Sequence, residues 1–364
     1  MMLKKVLLCE FAPEKGHKNL FANTYDLLSK NFSVQGYVLS DRNRDDDDKY
    51  NVIPFAYFER KYRNYLLHRI SYIFYVLKIT LMMFKQAKKN GNDALVCLTN
   101  DDVALFLSLL FFKCDVPLYV MHHYELDFIA TSKIRKWMFN SIKGKYYHIV
   151  QADFMAKKLV KDFDVPNEMI IVWPHPLNIK MTRNTDGAKF DCAGLSNSNE
   201  EVMIENLIKL EKEQHVFKMN NLHVILKSRN SSYNNDYLTV INGYLPDQKY
   251  DSIINGAKSL FIPFPDSFNT RMSGTLIDAL SNRKYVIATR ISVVESCRNR
   301  YSNLIEYFVL DNFIETIKLV KDKNPEEETQ FDEFVDNHSD EKLAAIMFQS
   351  FCHSSERKNV RIDF

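Results

Sequence analysis

Apolar residues in this chain gather in short runs that alternate with stretches of helical spacing. Lys5 to Phe11 is the first run, closed by the polar, Gly-containing loop Ala12 to Asn19, after which Leu20, Tyr25, Leu27 and Leu28 fall at helical intervals. Val34 to Leu39 predicts a second strand and Ser40 to Tyr50 a surface loop, whose acidic run Asp45 to Asp48 is expected to be solvated rather than metal-binding. A long helix is expected over Tyr62 to Asn90, a strand over Ala94 to Thr99, a buried helix over Asp101 to Phe112 and a strand over Pro117 to Met121. A helix at Ser132 to Ile142, a strand at His148 to Gln151, a helix at Asp153 to Asp162 and a strand at Ile170 to Trp173 complete the first half.

Pro174, His175 and Pro176 then impose a stiff extended exit. The linker is placed at 174–188. A second alternation follows: strand Phe190 to Gly194, helix Glu200 to Gln214, strand Leu222 to Lys227, helix Asp247 to Gly256, strand Ser259 to Pro263, helix Gly274 to Asn282 and strand Tyr285 to Thr289. A strand near Leu304 to Val309, a helix over Asn312 to Lys323 and one or two terminal helices end the chain, with Arg357 to Phe364 expected to fray. Strand alternating with helix predicts an α/β fold with parallel sheets covered on both faces. The reading is therefore two Rossmann-like domains, 1–174 and 175–330, facing each other across a cleft, with a helical tail over 331–364.

Length and composition fit that division. The 364 residues are 46% apolar, enough for two cores. A net charge of +2 gives no general attraction to nucleic acid, so none is expected as a partner and any anion site must be local. Six scattered cysteines without paired spacing read as reduced, mostly buried thiols. The apolar run Val6 to Cys9 stops at Glu10, too short for a signal peptide, and Ile70 to Phe84 with Lys78 in its middle falls short of a bilayer span. A cytoplasmic protein is the expectation, at the inner face of the cytoplasmic membrane if it touches lipid.

Ligands of open parallel sheets bind beyond the carboxyl ends of the strands, which directs attention to the loops there. The segment FIPFPDSFNTRMSGTLIDALSNRKYVIAT, Phe261 to Thr289, is the most informative. A strand ends in Pro263 and Pro265, a polar loop carries Arg271, and Ser273, Gly274 and Thr275 open a helix. The first turn of such a helix offers unpaired N–H groups and a positive dipole end, suited to a diphosphate. Gly274 permits close approach, Ser273 can donate a hydroxyl and Arg271 can chelate phosphate oxygens. The same residues also fit a capped core helix with Asp278 on its solvent face.

This segment resembles the GT-B glycosyltransferases of the large retaining group that assembles bacterial capsule, exopolysaccharide and O-antigen. Asp278 stands where that family has the second acidic residue of its E-x7-E signature, which implies contact with the ribose hydroxyls; Thr270 stands where the family usually has the first Glu. The resemblance also implies that Lys227 and Arg229, after Leu222 to Leu226, contact the donor diphosphate. Gly16 and His17 match the N-terminal loop that approaches acceptor and diphosphate. In the turn Leu195 to Ser198, where the family often carries Arg and Lys, only hydroxyl and amide donors are found.

The implied activity is metal-independent, hexosyl-type transfer from a nucleotide-diphosphate sugar to a glycan or lipid-linked acceptor, with the nucleotide sugar as co-substrate and no cofactor. A nucleotide-sugar 2-epimerase or hydrolase of the same fold and a non-catalytic nucleotide-sugar-binding subunit are the alternatives. His122 and His123, with Glu125 and Asp127, follow the strand Pro117 to Met121 and are candidates to orient or deprotonate the acceptor. His123 is favoured. A structural histidine pair donating to backbone carbonyls is the other reading. Asn100, Asp101 and Asp102 read as a helix start rather than a metal motif. Lastly, Tyr62 to Lys89 mixes Arg69, Lys78, Lys85, Lys88 and Lys89 with Tyr72, Phe74, Tyr75 and Phe84, a pattern for peripheral membrane contact as well as for packing on the sheet.

Overall fold

The structure is a computed structural model that describes residues 5–10, 18–39, 49–53, 64–179, 189–243 and 245–357. The loop with Gly16 and His17, most of the acidic loop and most of the expected linker lie outside the described residues. The chain divides into two compact units, Met1–Pro176 with Asp340–Phe364, and Leu177–Ser339.

In unit 1 the strands are β1 (Lys5–Cys9), β2 (Ser33–Leu39), β3 (Asn51–Ile53), β4 (Ala94–Cys97), β5 (Leu118–Met121), β6 (Tyr147–Val150) and β7 (Ile170–Val172). They form one sheet in the order β3-β2-β1-β4-β5-β6-β7. Every pair is parallel. Their continuous apolar runs follow from burial on both faces. Val6 and Leu8 of β1 face α1 (Lys18–Ser29), whereas Leu7 and Cys9 face α2 (Tyr65–Lys89) and α3 (Asp102–Phe111), the period-two alternation of a strand. The helices α4 (Glu125–Thr131), α5 (Lys133–Ile142) and α6 (Asp153–Phe163) complete the unit before the tail returns.

Unit 2 repeats the plan. Its strands β8 (Phe190–Gly194), β9 (Val224–Ser228), β10 (Tyr233–Asn234), β11 (Leu238–Asn242), β12 (Ala257–Ile262), β13 (Tyr285–Ala288) and β14 (Ile305–Tyr307) take the order β10-β11-β9-β8-β12-β13-β14. Only the edge pair β10–β11 is antiparallel. The helices are α7 (Glu201–Gln214), α8 (Val216–Met219), α9 (Asp247–Asn255), α10 (Gly274–Ser281), α11 (Ser292–Arg298), α12 (Phe313–Lys321) and α13 (Thr329–Asn337). In both sheets the strand order reverses at the first strand, between β1 and β4 and between β8 and β12. A crevice opens at such switch points.

The expected tail over 331–364 is not a body of its own. Phe331 and Phe334 of α13 are buried within unit 2, while α14 (Asp340–Arg357) places Leu343, Met347 and Phe351 in the core of unit 1. The Phe351 ring meets those of Phe32, Tyr119 and Trp173 at 5.2, 4.7 and 5.7 Å. Apolar spacing announced this helix, but only the fold assigns it to the earlier half of the chain. Helix α2 falls within the helix expected over Tyr62 to Asn90. By length and composition it could cross a bilayer, yet Val76, Ile79, Met83, Phe84 and Ala87 pack in the core of unit 1.

Candidate functional site

At the carboxyl edge of the second sheet, the start of α7 locks three strand ends together. Asn199 donates its amide to the carbonyls of Gly194 (3.1 Å) and Lys227 (3.0 Å), and the backbone N–H of Glu200 donates to Pro263 O (2.7 Å). Gly194 is needed for this closeness: a Cβ there would lie 3.0 Å from Leu226 Cδ2 and 3.3 Å from Phe261 O. Asn199 Oδ1, itself buried, has no hydrogen-bond partner among the described residues.

Lys227 is the unusual residue of this edge. It is 8% exposed, and among the described residues no carboxylate lies within ion-pair distance of its ammonium. Burial alone pushes its pKa below the ordinary lysine value. Arg229, two residues on and exposed, is different. Its Nε and backbone N–H both donate to Glu201 Oε1, at 3.1 and 3.0 Å, while Ser228 Oγ donates to Glu201 Oε2 at 2.5 Å. Burial raises the Glu201 pKa and these bonds outweigh it, leaving the carboxylate below its usual range. The two cations predicted together therefore divide: one serves α7, and the other is an uncompensated positive charge at a strand end.

Across β8 from Lys227 lies the loop between β12 and α10. Thr289 Oγ1 donates to Phe264 O (2.7 Å), Ser292 Oγ to Asn269 Oδ1 (2.7 Å), and the Arg271 guanidinium stacks on Phe268 at 4.3 Å. Ser273 is the N-cap of α10, its hydroxyl accepting from Leu276 N at 3.1 Å, so its oxygen is occupied by capping. The next two N–H groups, of Gly274 and Thr275, have no carbonyl within the helix to meet. Gly274 is exposed, and a Cβ on it would meet nothing within 4 Å. The protein itself does not require glycine there; open space lies in front of the helix start.

Asp278 departs from the solvent-face reading. It is buried rather than on a solvent face, and its two oxygens already accept from Asn178 Nδ2 and the Tyr250 hydroxyl, each at 2.8 Å. Burial, then the adjacent carboxylate, drives the Tyr250 pKa well above its ordinary value, so the phenol stays a donor. Asp278 thus ties α10 to α9 and to the segment that enters unit 2. Thr270, where an acidic residue was expected by resemblance, is buried.

In unit 1 the histidine pair separates into two roles. His122 is 1% exposed; its Nδ1 meets Glu125 Oε1 at 2.7 Å and its Nε2 meets His148 Nδ1 at 2.8 Å, while His148 Nε2 donates to Lys143 O at 2.8 Å. Burial holds His148 neutral by pushing its pKa well down. Glu125 is the reverse case, because burial would raise its pKa but the His122 bond prevails and lowers it. Both His122 nitrogens are thus engaged, one by Glu125 and one by His148. His122 and Glu125, expected as acceptor-activating groups, are a buried hydrogen-bonded pair next to a void of only about 10 Å³. His123 is half-buried and donates Nε2–H to Leu98 O at 2.6 Å, which makes Nδ1 its basic nitrogen. Glu125 also accepts from the His123 backbone N–H at 3.1 and 3.0 Å. Asp101 caps α3 by accepting from Val103 N and Ala104 N. Among the described residues no group of three or more His, Cys, Asp or Glu could hold a metal ion.

No protein-family model matches the chain, and no curated protein matches it significantly. Solved structures do. A glycosyltransferase from Rickettsia africae aligns with TM-score 0.62 at 13% identity over 98% of this chain and 99% of its own. The UDP-N-acetylglucosamine 2-epimerase of Rickettsia bellii aligns at 0.60 and 12%, over 99% of both. The glycosyltransferase of kitacinnamycin aligns at 0.58 and 9%, over 96% of this chain and all of its own. The chain has a GT-B glycosyltransferase-like fold.

In this GT-B-like chain the expected donor-binding residues all belong to unit 2, at or beside the carboxyl edge of its sheet. Sequence reasoning missed Asn199 and Glu201. Both are ordinary polar residues at the start of a helix, and only the alignment of β8 with β9 gives them their partners. Two surface cavities of unit 2, of about 500 and 570 Å³, are lined by none of these residues.

Proposed function

We propose that this chain is a glycosyltransferase that binds a nucleotide-diphosphate sugar at the carboxyl edge of the unit 2 sheet and transfers the sugar to a glycan or lipid-linked acceptor in cell-surface polysaccharide synthesis. The observation that carries this reading is Lys227, a largely buried lysine with no carboxylate within ion-pair distance among the described residues, one strand from the open N-terminus of α10. Neighbouring strands are spaced by about 4.8 Å, so Lys227 and the loop after β12 are roughly 10 Å apart, within the span of one nucleotide sugar. Lys227 and the N–H groups of Gly274 and Thr275 would neutralise the diphosphate, with Arg271 beside them. As the glycosidic bond breaks, charge grows on the leaving phosphate oxygen, and fixed donors there favour departure without a metal ion. His123 is the candidate to orient or deprotonate the acceptor hydroxyl. The structure of a UDP-GlcNAc 2-epimerase from Neisseria meningitidis bound to UDP-GlcNAc, 10% identical, supports nucleotide-sugar binding by this fold.

Because epimerases share the fold, the decisive assay is turnover of a panel of nucleotide sugars with and without acceptor. Nucleoside diphosphate released only when acceptor is present supports transfer; turnover without any acceptor supports epimerisation or hydrolysis instead. A second expectation separates binding from folding at the helix start. Gly274→Val fills open space, so the thermal midpoint should stay within a few degrees, while donor KM rises about tenfold or more as the branched side chain takes the diphosphate's position. An unchanged donor KM would count against the α10 start as a phosphate site.

A further inference from the structure

The exposed surface of unit 1 is uneven in a way that soluble packing does not explain. Ile134 and Trp137 of α5 are 72% and 61% exposed, Phe74 of α2 is 64% exposed, and Leu66, Leu67, Ile70 and Phe128 are exposed beside them. Isolated exposed apolar residues need no explanation, but these belong to one surface. Asp102, at the start of α3, meets both Arg69 of α2 (3.6 Å) and Arg135 of α5 (3.2 Å), which brings the first turns of those two helices together. The Arg135 guanidinium in turn lies over the Phe128 ring at 5.3 Å, and Trp137 contacts Phe106 at 5.6 Å.

Charge follows the same two helices. Residues 64–92 and 132–152 hold ten Lys and Arg and no Asp or Glu, in a chain with 48 basic and 46 acidic residues, so the remainder is net negative. Lys78, Lys85 and Lys89 of α2 and Lys133 and Lys136 of α5 are exposed. Apolar and aromatic side chains ringed by lysine match an anionic lipid surface, in which rings enter the headgroup region and ammonium groups meet phosphate. An acidic protein partner would match the charge but has no need of so many protruding aliphatic tips.

We propose that the exposed face of α2, α4 and α5 docks unit 1 on an anionic lipid bilayer, with Ile134 and Trp137 entering the interface and the surrounding lysines binding lipid phosphate. Docking is independent of sugar transfer and is read without turnover. The chain has two tryptophans, and Trp173 is 1% exposed, so Trp137 reports on its own surroundings.

The test uses the full chain with phosphatidylcholine vesicles, with and without phosphatidylglycerol. Co-sedimentation with the anionic vesicles is expected, falling with salt, together with a blue shift of emission and its quenching by brominated acyl chains. Ile134→Ser with Trp137→Ser, both at exposed positions, should keep the thermal midpoint and weaken partition about tenfold or more. Lys133→Gln with Lys136→Gln should weaken it by at least about tenfold on anionic vesicles alone. Absence of binding to either vesicle, or a lipid-independent self-association that shields Trp137, would overturn the proposal.

Discussion

Lys227→Met is expected to make the protein more stable and worse at binding its donor. Lys227 is 8% exposed as a residue, has no carboxylate within ion-pair distance among the described residues, and partial burial lowers its pKa. Folding therefore carries an electrostatic cost that a thioether of similar length removes. The gain should be modest, because solvent reaching the ammonium screens part of that cost. The sign with pH follows. A lysine with a lowered native pKa binds its proton less readily when folded, so the cost is full below that value, shrinks as pH rises through it and is gone above the ordinary 10.5. The advantage of Lys227→Met in urea denaturation should shrink accordingly in alkaline buffer. Donor kcat/KM should fall about 100-fold, because one preorganised charge opposite the leaving diphosphate is lost. Lys227→Arg should keep part of the affinity. Arg229→Ala behaves differently, since it unpairs Glu201 and costs stability while affecting donor binding less.

The second large effect lies in unit 1. Glu125→Ala should destabilise the fold by about 1–3 kcal/mol, because it leaves His122 Nδ1 and the His123 backbone N–H without their hydrogen-bond partner. Glu125 has a lowered native pKa, so the stability it provides is complete above its ordinary 4.5 and is lost as pH falls through the depressed native value. The gap between wild type and variant should close over that acidic range. His148, neutral when folded, adds a further loss of stability as pH falls below its ordinary 6.5. Asp102 opposes this trend: burial raises its pKa to about 6, so the native state takes up a proton first and gains as pH falls from there. A variant of unchanged midpoint but lost activity would instead restore Glu125 as a catalytic base.

Much of the architecture was legible because parallel strands buried on both faces leave continuous apolar runs. Elements without such a run were not. The pair β10 and β11 sits in SSYNNDYLTV, where Asn235 Oδ1 makes the turn by accepting from Tyr237 N and Leu238 N. Helix α4 begins at Glu125, inside what reads as a polar loop, because the carboxylate turns inward to His122. Sites follow the same logic. Asp101 could be read as a cap from local sequence, since its partners are two and three residues away. His122 and His148 are 26 residues apart and meet only because β5 and β6 pair. Nothing local distinguishes Lys227 from Arg229; Glu201, on another helix, does.

The most direct measurement is calorimetric titration of a panel of nucleoside diphosphates into the wild-type protein and Lys227→Met side by side. Saturable binding of one diphosphate to the wild type, weakened about 100-fold in a variant whose thermal midpoint is equal or higher, is the predicted result. Equal affinity in the two proteins, or no diphosphate bound by the wild type, would contradict an anion site at the carboxyl edge of the unit 2 sheet.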